Sequence, residues 1–406
     1  MSSATDLDLA GFDPFSAGVI ADPYPWYRAL HDGPRVFHQE QWGFWVLTRY
    51  DDVWAATRDH AHLSSADGVT YVRAPLPMML TMDPPDHERL RRIVGREFAP
   101  RDIHRFRPQI ERFVTDGLDE MKQQDTGDVV KSLAVPVPIR IMAAILGVPE
   151  ADIPELRKMS DDLVQGFAIA PSGSQTIDEA IASYDFGRIG KAITDIHDYF
   201  RGLIGARRRQ PADDLITKFL DPADEGTLDE NELLWFCLLL LVAGIETTTN
   251  LIGNMVLAFV AHPEQWELVR ERRELVGSAV NEALRFDSPI QGFFRTTLSD
   301  YAVGETEIPS GSRVLLSFGA ANHDPQHYSD PAMFRADRDP ADHLAFGSGI
   351  HRCLGAGLAE LEGIIVLEQL LDTAQALEID GDVVRTTNPT LRGAARVPVN
   401  TKVWNR

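Results

Sequence analysis

Cysteine is nearly missing from this chain: Cys237 and Cys353 are the only two in 406 residues. That excludes a disulfide framework and makes a reducing compartment the default. Basic side chains are also scarce, with 39 Lys and Arg against 61 Asp and Glu, a formal charge of −22 and a pI near 4.9. Nucleic acid and anionic membrane surfaces demand a whole face of clustered cations, which this balance does not supply, although a local basic patch remains possible. The opening residues, MSSATDLDLAGFDPF, lack the basic and apolar regions of a leader or membrane anchor. The uncharged run Leu233–Ile245 has 13 residues, short of the ~18 needed to span a bilayer. These absences predict a cytoplasmic protein with a buried apolar helix. No period of about 20–50 residues recurs, so a repeat architecture is excluded as well.

What is present is enough apolar material, 44% of the residues, for a large core. The length alone allows two or three domains at about 150 residues each, but no linker divides the chain. Helical periodicity runs over 86–97, 101–123, 136–146, 152–167 and 177–208. Thr227-Leu-Asp-Glu230 is a capping-box pattern, and the helix it opens runs to Ala261, where His262-Pro263 stops it. Such a helix is about 50 Å long and must cross the core. Further helices are predicted over 263–272, 274–286 and 354–374. Strand-like runs occur around Arg35–Tyr50 and after Pro289, and the proline-rich stretch 63–85 reads as a long loop of functional type. Helices outnumber strands without alternating with them, so the class is mainly α with a smaller β portion.

Four segments carry chemistry. Phe346-Gly-Ser-Gly-Ile-His-Arg-Cys353-Leu-Gly355 places a cysteine in a glycine-rich loop that runs into a helix, where the positive end of the helix dipole favours a thiolate. Gly347 and Gly349 permit positive φ, Gly355 and Gly357 leave room for a flat body, and His351 and Arg352 add positive charge. A thiolate ringed by backbone donors beside a flat open space suits a thiolate-ligated haem iron. Ala243-Gly-Ile-Glu246-Thr247-Thr248 puts a glycine, an acid and a hydroxyl into the middle of the long apolar helix. Each breaks a local rule in the way functional sites do. Glu282-Ala-Leu-Arg285 spaces an ion pair three residues apart on one helix face. Asp83-Pro-Pro-Asp86-His87-Glu-Arg-Leu-Arg91-Arg92 sets His87 and Arg91 one turn apart, suited to gripping carboxylates. Cys237 reads as a packed core thiol.

On these residues the chain resembles the cytochrome P450 family of haem-thiolate monooxygenases, soluble bacterial type. Phe346, Gly349, His351, Cys353 and Gly355 match every position of that family's haem-ligand loop, and the other motifs follow in family order. The resemblance implies a single domain over 1–406, residues 1–10 being a flexible tail, built around haem b between the long central helix and the Cys-loop helix. It implies Cys353 as the axial iron ligand. It further implies His87, Arg91, Ala243, Gly244, Arg295, Phe346, Gly347, His351 and Gly355 as haem contacts. Glu246 and Thr247 become the acid–alcohol pair that relays protons to dioxygen, with Glu replacing the usual Asp. Glu282 and Arg285 become a structural salt bridge; Met333 stands where the family often has a third member, Arg, so Arg335 or Arg338 must substitute or the network is shortened. Tyr71, Met78, Met79, Phe167, Ala243, Ile290, Phe293 and Phe294 are expected to line the substrate pocket.

The implied reaction inserts one oxygen atom of dioxygen into a hydrophobic molecule: a lipid, terpenoid, steroid or aromatic. No flavin or nicotinamide domain is visible, so a separate ferredoxin and ferredoxin reductase are implied. Arg89, Arg92, Arg96, Arg101, Arg105, Arg107 and Arg352 are expected to form a basic docking face for that donor. The rival readings are a peroxide-driven peroxygenase and a non-catalytic haem-binding sensor.

Overall fold

Each predicted helix buries one apolar stripe, and that is why periodicity locates most of them. In the computed structural model of the protein, residues 7–167, 179, 185–220 and 228–404 are described. The principal helices are α1 (Tyr24–Asp32), α2 (Tyr50–Arg58), α3 (Asp86–Gly95), α4 (Arg107–Lys122), α5 (Pro136–Leu146) and α6 (Ile153–Phe167). They continue with α7 (Phe186–Arg209), α8 (Leu215–Leu220), α9 (Glu230–Ala261), α10 (Pro263–Glu271), α11 (Val276–Phe286) and α12 (Ala356–Thr373). Of the tail expected to be flexible, residues 1–6 lie outside the described residues. Leu9 packs onto an aromatic cluster around Phe12 and Trp42.

Two boundaries differ from expectation for local reasons. The helix read over 101–123 breaks into a turn at His104–Phe106 and restarts at Arg107. Pro108 has no N–H to return to His104, so a continuous helix would lose that bond. The capping box of α9 is formed by Asp229 and Glu232, two residues after the expected pair. The Asp229 carboxylate accepts the Glu232 N–H at 2.8 Å, and the Glu232 carboxylate accepts the Asp229 N–H at 3.0 Å. Thr227 lies outside the described residues.

Five strands form the main sheet: β1 (Val36–Gln39), β2 (Phe44–Leu47), β3 (Leu63–Ser64), β4 (Phe293–Thr297) and β5 (Arg313–Leu316). Their order is β1-β2-β5-β4-β3, with only the β2–β5 pair parallel. Arg295 of β4 stands opposite Val314 of β5. The sheet carries two apolar clusters of its own, while the helices share one large core.

At the centre of that core, α9 packs against α5, α6, α7, α10, α11 and α12. By length and apolarity alone it could cross a membrane, with mean hydropathy 1.6 over its most apolar window, but 67% of that window is buried inside the fold. Here the apolar surface is consumed by other helices. The architecture is a single helical body with a sheet lobe, mainly α with a smaller β portion, as the residue patterns predict.

Candidate active site

The cysteine loop is shaped by two glycines. Gly347 and Gly349 have φ of +64° and +68°, a conformation that costs an L side chain about 1 kcal/mol or more. At Gly349 space also forbids a side chain, since an added Cβ would meet Thr57 O at 2.6 Å and Arg58 Cα at 3.0 Å. The loop therefore rests directly on the last turn of α2. The Cys353 N–H donates to Phe346 O at 2.9 Å, and the Arg352 N–H to Gly349 O at 3.1 Å. This returns the chain so that Gly355 caps α12 and its N–H donates to the Cys353 sulfur. Burial raises the thiol pKa, while that N–H and the Arg91 and Arg352 charges lower it. An added Cβ at Gly355 would meet nothing within 4 Å, so space is open beside the sulfur.

Four bases from three distant segments meet near this loop. His87 of α3 is 1% exposed, its ring lies 4.3 Å from that of His351, and its Nδ1 is buried without a partner. Arg295 is 4% exposed, and its one hydrogen bond is from Nη1 to the Phe294 carbonyl at 2.9 Å. Burial lowers the Arg295 pKa to about 10, with Asp83 opposing. Burial lowers Arg91 as well. His351 is held far below its ordinary value by burial first, then by Arg295, His87 and Arg91. Among the described residues no acid lies within ion-pair distance of these four. Asp83, whose charge acts on Arg295 and His87, is occupied by the Ser64 hydroxyl and by the Ser65 N–H at 3.0 Å. Ser65 also reaches the His351 Nε2 at 3.1 Å. Arg91 and Arg295 are two cations drawn from water without a counter-charge, beside two imidazoles held toward the neutral form, an arrangement that is costly unless an anion joins it. Two carboxylates delivered by a flat ligand above Cys353 would supply one.

The chain belongs to the cytochrome P450 family. The family model, cytochrome P450, matches residues 41–403. The chain is 39% identical over 393 residues to the beta-dihydromenaquinone-9 omega-hydroxylase of Mycobacterium tuberculosis, covering 97% of this chain and 79% of that one. It is 36% identical over 403 residues to the vitamin D(3) 25-hydroxylase of Pseudonocardia autotrophica, covering 95% and 96%. Among solved structures it superposes on CYP109E1 from Bacillus megaterium in complex with testosterone. The TM-score is 0.87 at 29% identity, covering 96% of this chain and 100% of that one. The protein is a P450 monooxygenase whose cofactor is haem b, and His87, Arg91, Arg295 and His351, which no acid pairs, fit the propionates of that group.

The middle of α9 divides its small residues between two neighbours. Ala243 is exposed although most of α9 is buried, and the Thr247 hydroxyl donates back to its carbonyl at 2.7 Å. Gly244 serves a different purpose from the notch expected of it. Its missing Cβ would sit 2.7 Å from the Met142 sulfur, so this glycine brings α5 close to α9. Successive helix residues turn by about 100°, and two neighbours cannot both face one ligand squarely. Burial raises the Glu246 pKa, Asp161 of α6 raises it further, and Arg157 lowers it. Arg157 and Asp161 are 3.6 Å apart. Neither was singled out from sequence, because their approach to Glu246 depends on how α6 crosses α9.

The expected pocket residues separate by strand parity. Phe293 shares the Arg295 face of β4 and packs edge-on against Phe318 at 5.9 Å. Phe294 points to the opposite face, into the cluster with Phe44 and Tyr71, and the Tyr71 hydroxyl donates to Trp42 O at 2.8 Å. Tyr71 and Phe294 are thus core of the sheet lobe. Ile290 pairs with Leu391, a neighbour far along the chain that no local pattern points to. Met78 and Met79 line a small recess with Leu90, Val94 and Phe236. The Phe167 side chain lies outside the described residues.

The Glu282–Arg285 pair is fully buried, with contacts of 2.7 and 2.8 Å. The open choice for its third member is settled. Arg338 Nε reaches Glu282 at 3.1 Å, whereas Arg335 offers only its backbone N–H, at 2.9 Å, and turns its guanidinium to Asp337. The basic docking face is thinner than expected. Arg89 is paired with Glu232, Arg101 with Asp102, Arg105 with Asp213, and Arg107 with Glu111 and Glu368.

Proposed function

We propose that the protein hydroxylates a bulky apolar molecule of the lipid, terpenoid, steroid or aromatic class in the cytoplasm, taking two electrons singly from a ferredoxin and its reductase. Substrate C–H, dioxygen, two electrons and two protons yield C–OH and water. The observation carrying this reading is the pair of arginines without counter-charge, Arg91 and Arg295, with the His87 and His351 rings beside them near Cys353, a donor set that suits haem propionates. Cys353 provides the thiolate, and bound haem supplies the dioxygen-activating chemistry. Ala243 gives α9 a low wall facing that space, with Thr247 Oγ1 held one turn along. Glu246, whose pKa is raised by burial, carries protons from the Arg157–Asp161 side toward Thr247. Phe293, Ile290 and Leu391 provide apolar surface near Arg295. The menaquinone, vitamin D3 and testosterone named with the relatives are all large and mostly apolar, which supports the substrate class.

The reduced carbon-monoxide spectrum of the holoenzyme tests the thiolate; a band lacking the red shift defeats the reading. Titration with a menaquinone, vitamin D3 and testosterone tests the substrate class through the spin-state shift, which is expected for at least one. Thr247→Ala is expected to keep that shift but lower product formed per electron consumed several-fold. Unchanged coupling removes the role given to Thr247.

A further inference from the structure

An aromatic side chain stands exposed beside the thiolate loop, outside the basic face expected from sequence. Trp54 is 43% exposed, one of only six large hydrophobic residues so exposed among the described residues. It lies on α2, one turn before the Thr57–Arg58 backbone on which Gly349 rests. The Thr57 hydroxyl donates to Trp54 O at 2.8 Å, and the Arg58 guanidinium lies 4.6 Å from the centre of the Trp54 ring. The Arg58 guanidinium thus lies against the indole, and their helix is fixed to the cysteine loop by direct backbone contact. Such an exposed Trp–Arg pair has the composition of an interface hot spot.

Charge separates this patch from the rest of the basic face. Four arginines of α3, α4 and the turn between them are neutralised by Glu232, Asp102, Asp213, Glu111 and Glu368. Among the described residues no acid lies within ion-pair distance of Arg58, Arg92 or Arg352. Asp59, next to Arg58, is turned onto His62 at 2.8 Å. Arg352 is joined to Gly349 by a backbone hydrogen bond, and Arg91, which precedes Arg92, feels the Arg352 charge. On a chain of charge −22, these unpaired cations around one loop are where an acidic partner meets attraction instead of repulsion.

We infer that Trp54 and Arg58 are the anchor for the acidic iron–sulfur donor, with Arg352 and Arg92 completing the contact. The inference rests on the ferredoxin reading above and deepens it. It moves the centre of the footprint from the paired arginines of α3 and α4 to the end of α2. The donor's apolar rim covers the indole, and its carboxylates meet Arg58 and Arg352. Docking there places the donor directly over the loop that holds Cys353, where one electron can leave the cluster and reduce ferric haem to ferrous.

The test is calorimetric titration of the holoenzyme with a plant-type [2Fe–2S] ferredoxin and, separately, a bacterial [4Fe–4S] ferredoxin, at low and high salt. Trp54→Ala is expected to raise Kd about tenfold or more, while Trp54→Phe retains much of the affinity. Arg58→Glu is expected to raise Kd and to flatten its dependence on salt. Reduction by dithionite needs no docking, so an unaltered reduced carbon-monoxide band in each variant shows that fold and thiolate ligation persist. Wild-type Kd in Trp54→Ala and Arg58→Glu overturns the anchor while leaving a ferredoxin donor standing. Failure of the wild-type holoenzyme to bind either ferredoxin overturns the donor reading, and the anchor with it.

Discussion

Glu362 lies on α12, nine positions beyond Cys353, with one carboxylate oxygen sealed from solvent and unpartnered. Burial alone pushes its pKa up to about 8. In the unfolded chain the group has the ordinary value near 4.3. Between those values the folded chain keeps a proton that the unfolded chain has released. Stability contributed by that proton is present at low pH and declines as pH rises toward 8, by up to ~1.4 kcal/mol per pH unit. Above the folded pKa the loss levels off. Glu362→Gln removes the titration and retains the shape. Urea midpoints of wild type and variant should therefore lie close near pH 5 and diverge toward pH 8, with the variant the more stable. Parallel pH profiles would mean that Glu362 finds a partner or water that these contacts do not reveal.

At the scale of elements, α11 is tied to the turn-rich segment 322–338 by charges rather than by apolar packing alone. Arg285 donates to the carbonyls of Asn322, Pro331 and Met333, and Arg338 to those of Ser329, Asp330 and Met333, while both meet Glu282. Removing Arg338 deprives a buried carboxylate of one cation and the Ser329 and Asp330 carbonyls of their donor. Arg338→Ala should therefore cost about 2–4 kcal/mol. Arg335→Ala leaves its backbone N–H in place and should stay within about 0.5 kcal/mol of wild type. Denaturant unfolding of both variants checks the contrast, and equal losses would contradict it. The same comparison shows what sequence could and could not reveal. The Glu282–Arg285 spacing was legible because it is local to one helix. The choice between Arg335 and Arg338 was not, because it depends on how a turn-rich segment folds back. For β4 the alternation of Phe293, Phe294 and Arg295 was available in the sequence. Placing Phe294 on the Arg295 side overlooked that parity. Gly244 could be recognised as unusual and was expected to touch haem, but the Met142 it packs against lies on another helix and leaves no local signal.

For the whole molecule, His87 and Arg91 of α3, Arg295 of β4 and His351 of the loop before α12 converge, so the fold is closed around one place by segments far apart in the chain. That convergence was legible from motif order. The neutralisation of the surface arginines was not, because Glu232, Asp213 and Glu368 approach them from distant helices. The same convergence has an energetic consequence. Without an anion, Arg91 and Arg295 lack a counter-charge and hold His87 and His351 in the neutral form, so the charges expected to bind the cofactor weaken the fold that presents them. Haem binding relieves this and adds its own linkage energy, ~4 kcal/mol when free haem stands at 1,000 times Kd. Extracting haem should therefore lower the Tm by several degrees or more. Arg295→Gln should narrow the gap from both ends: the loaded protein loses a propionate donor, and the haem-free protein loses a source of repulsion. Calorimetric Tm values for both forms of wild type and variant decide it. A gap unchanged by Arg295→Gln would show that Arg295 has another counter-charge and takes no part in holding the cofactor.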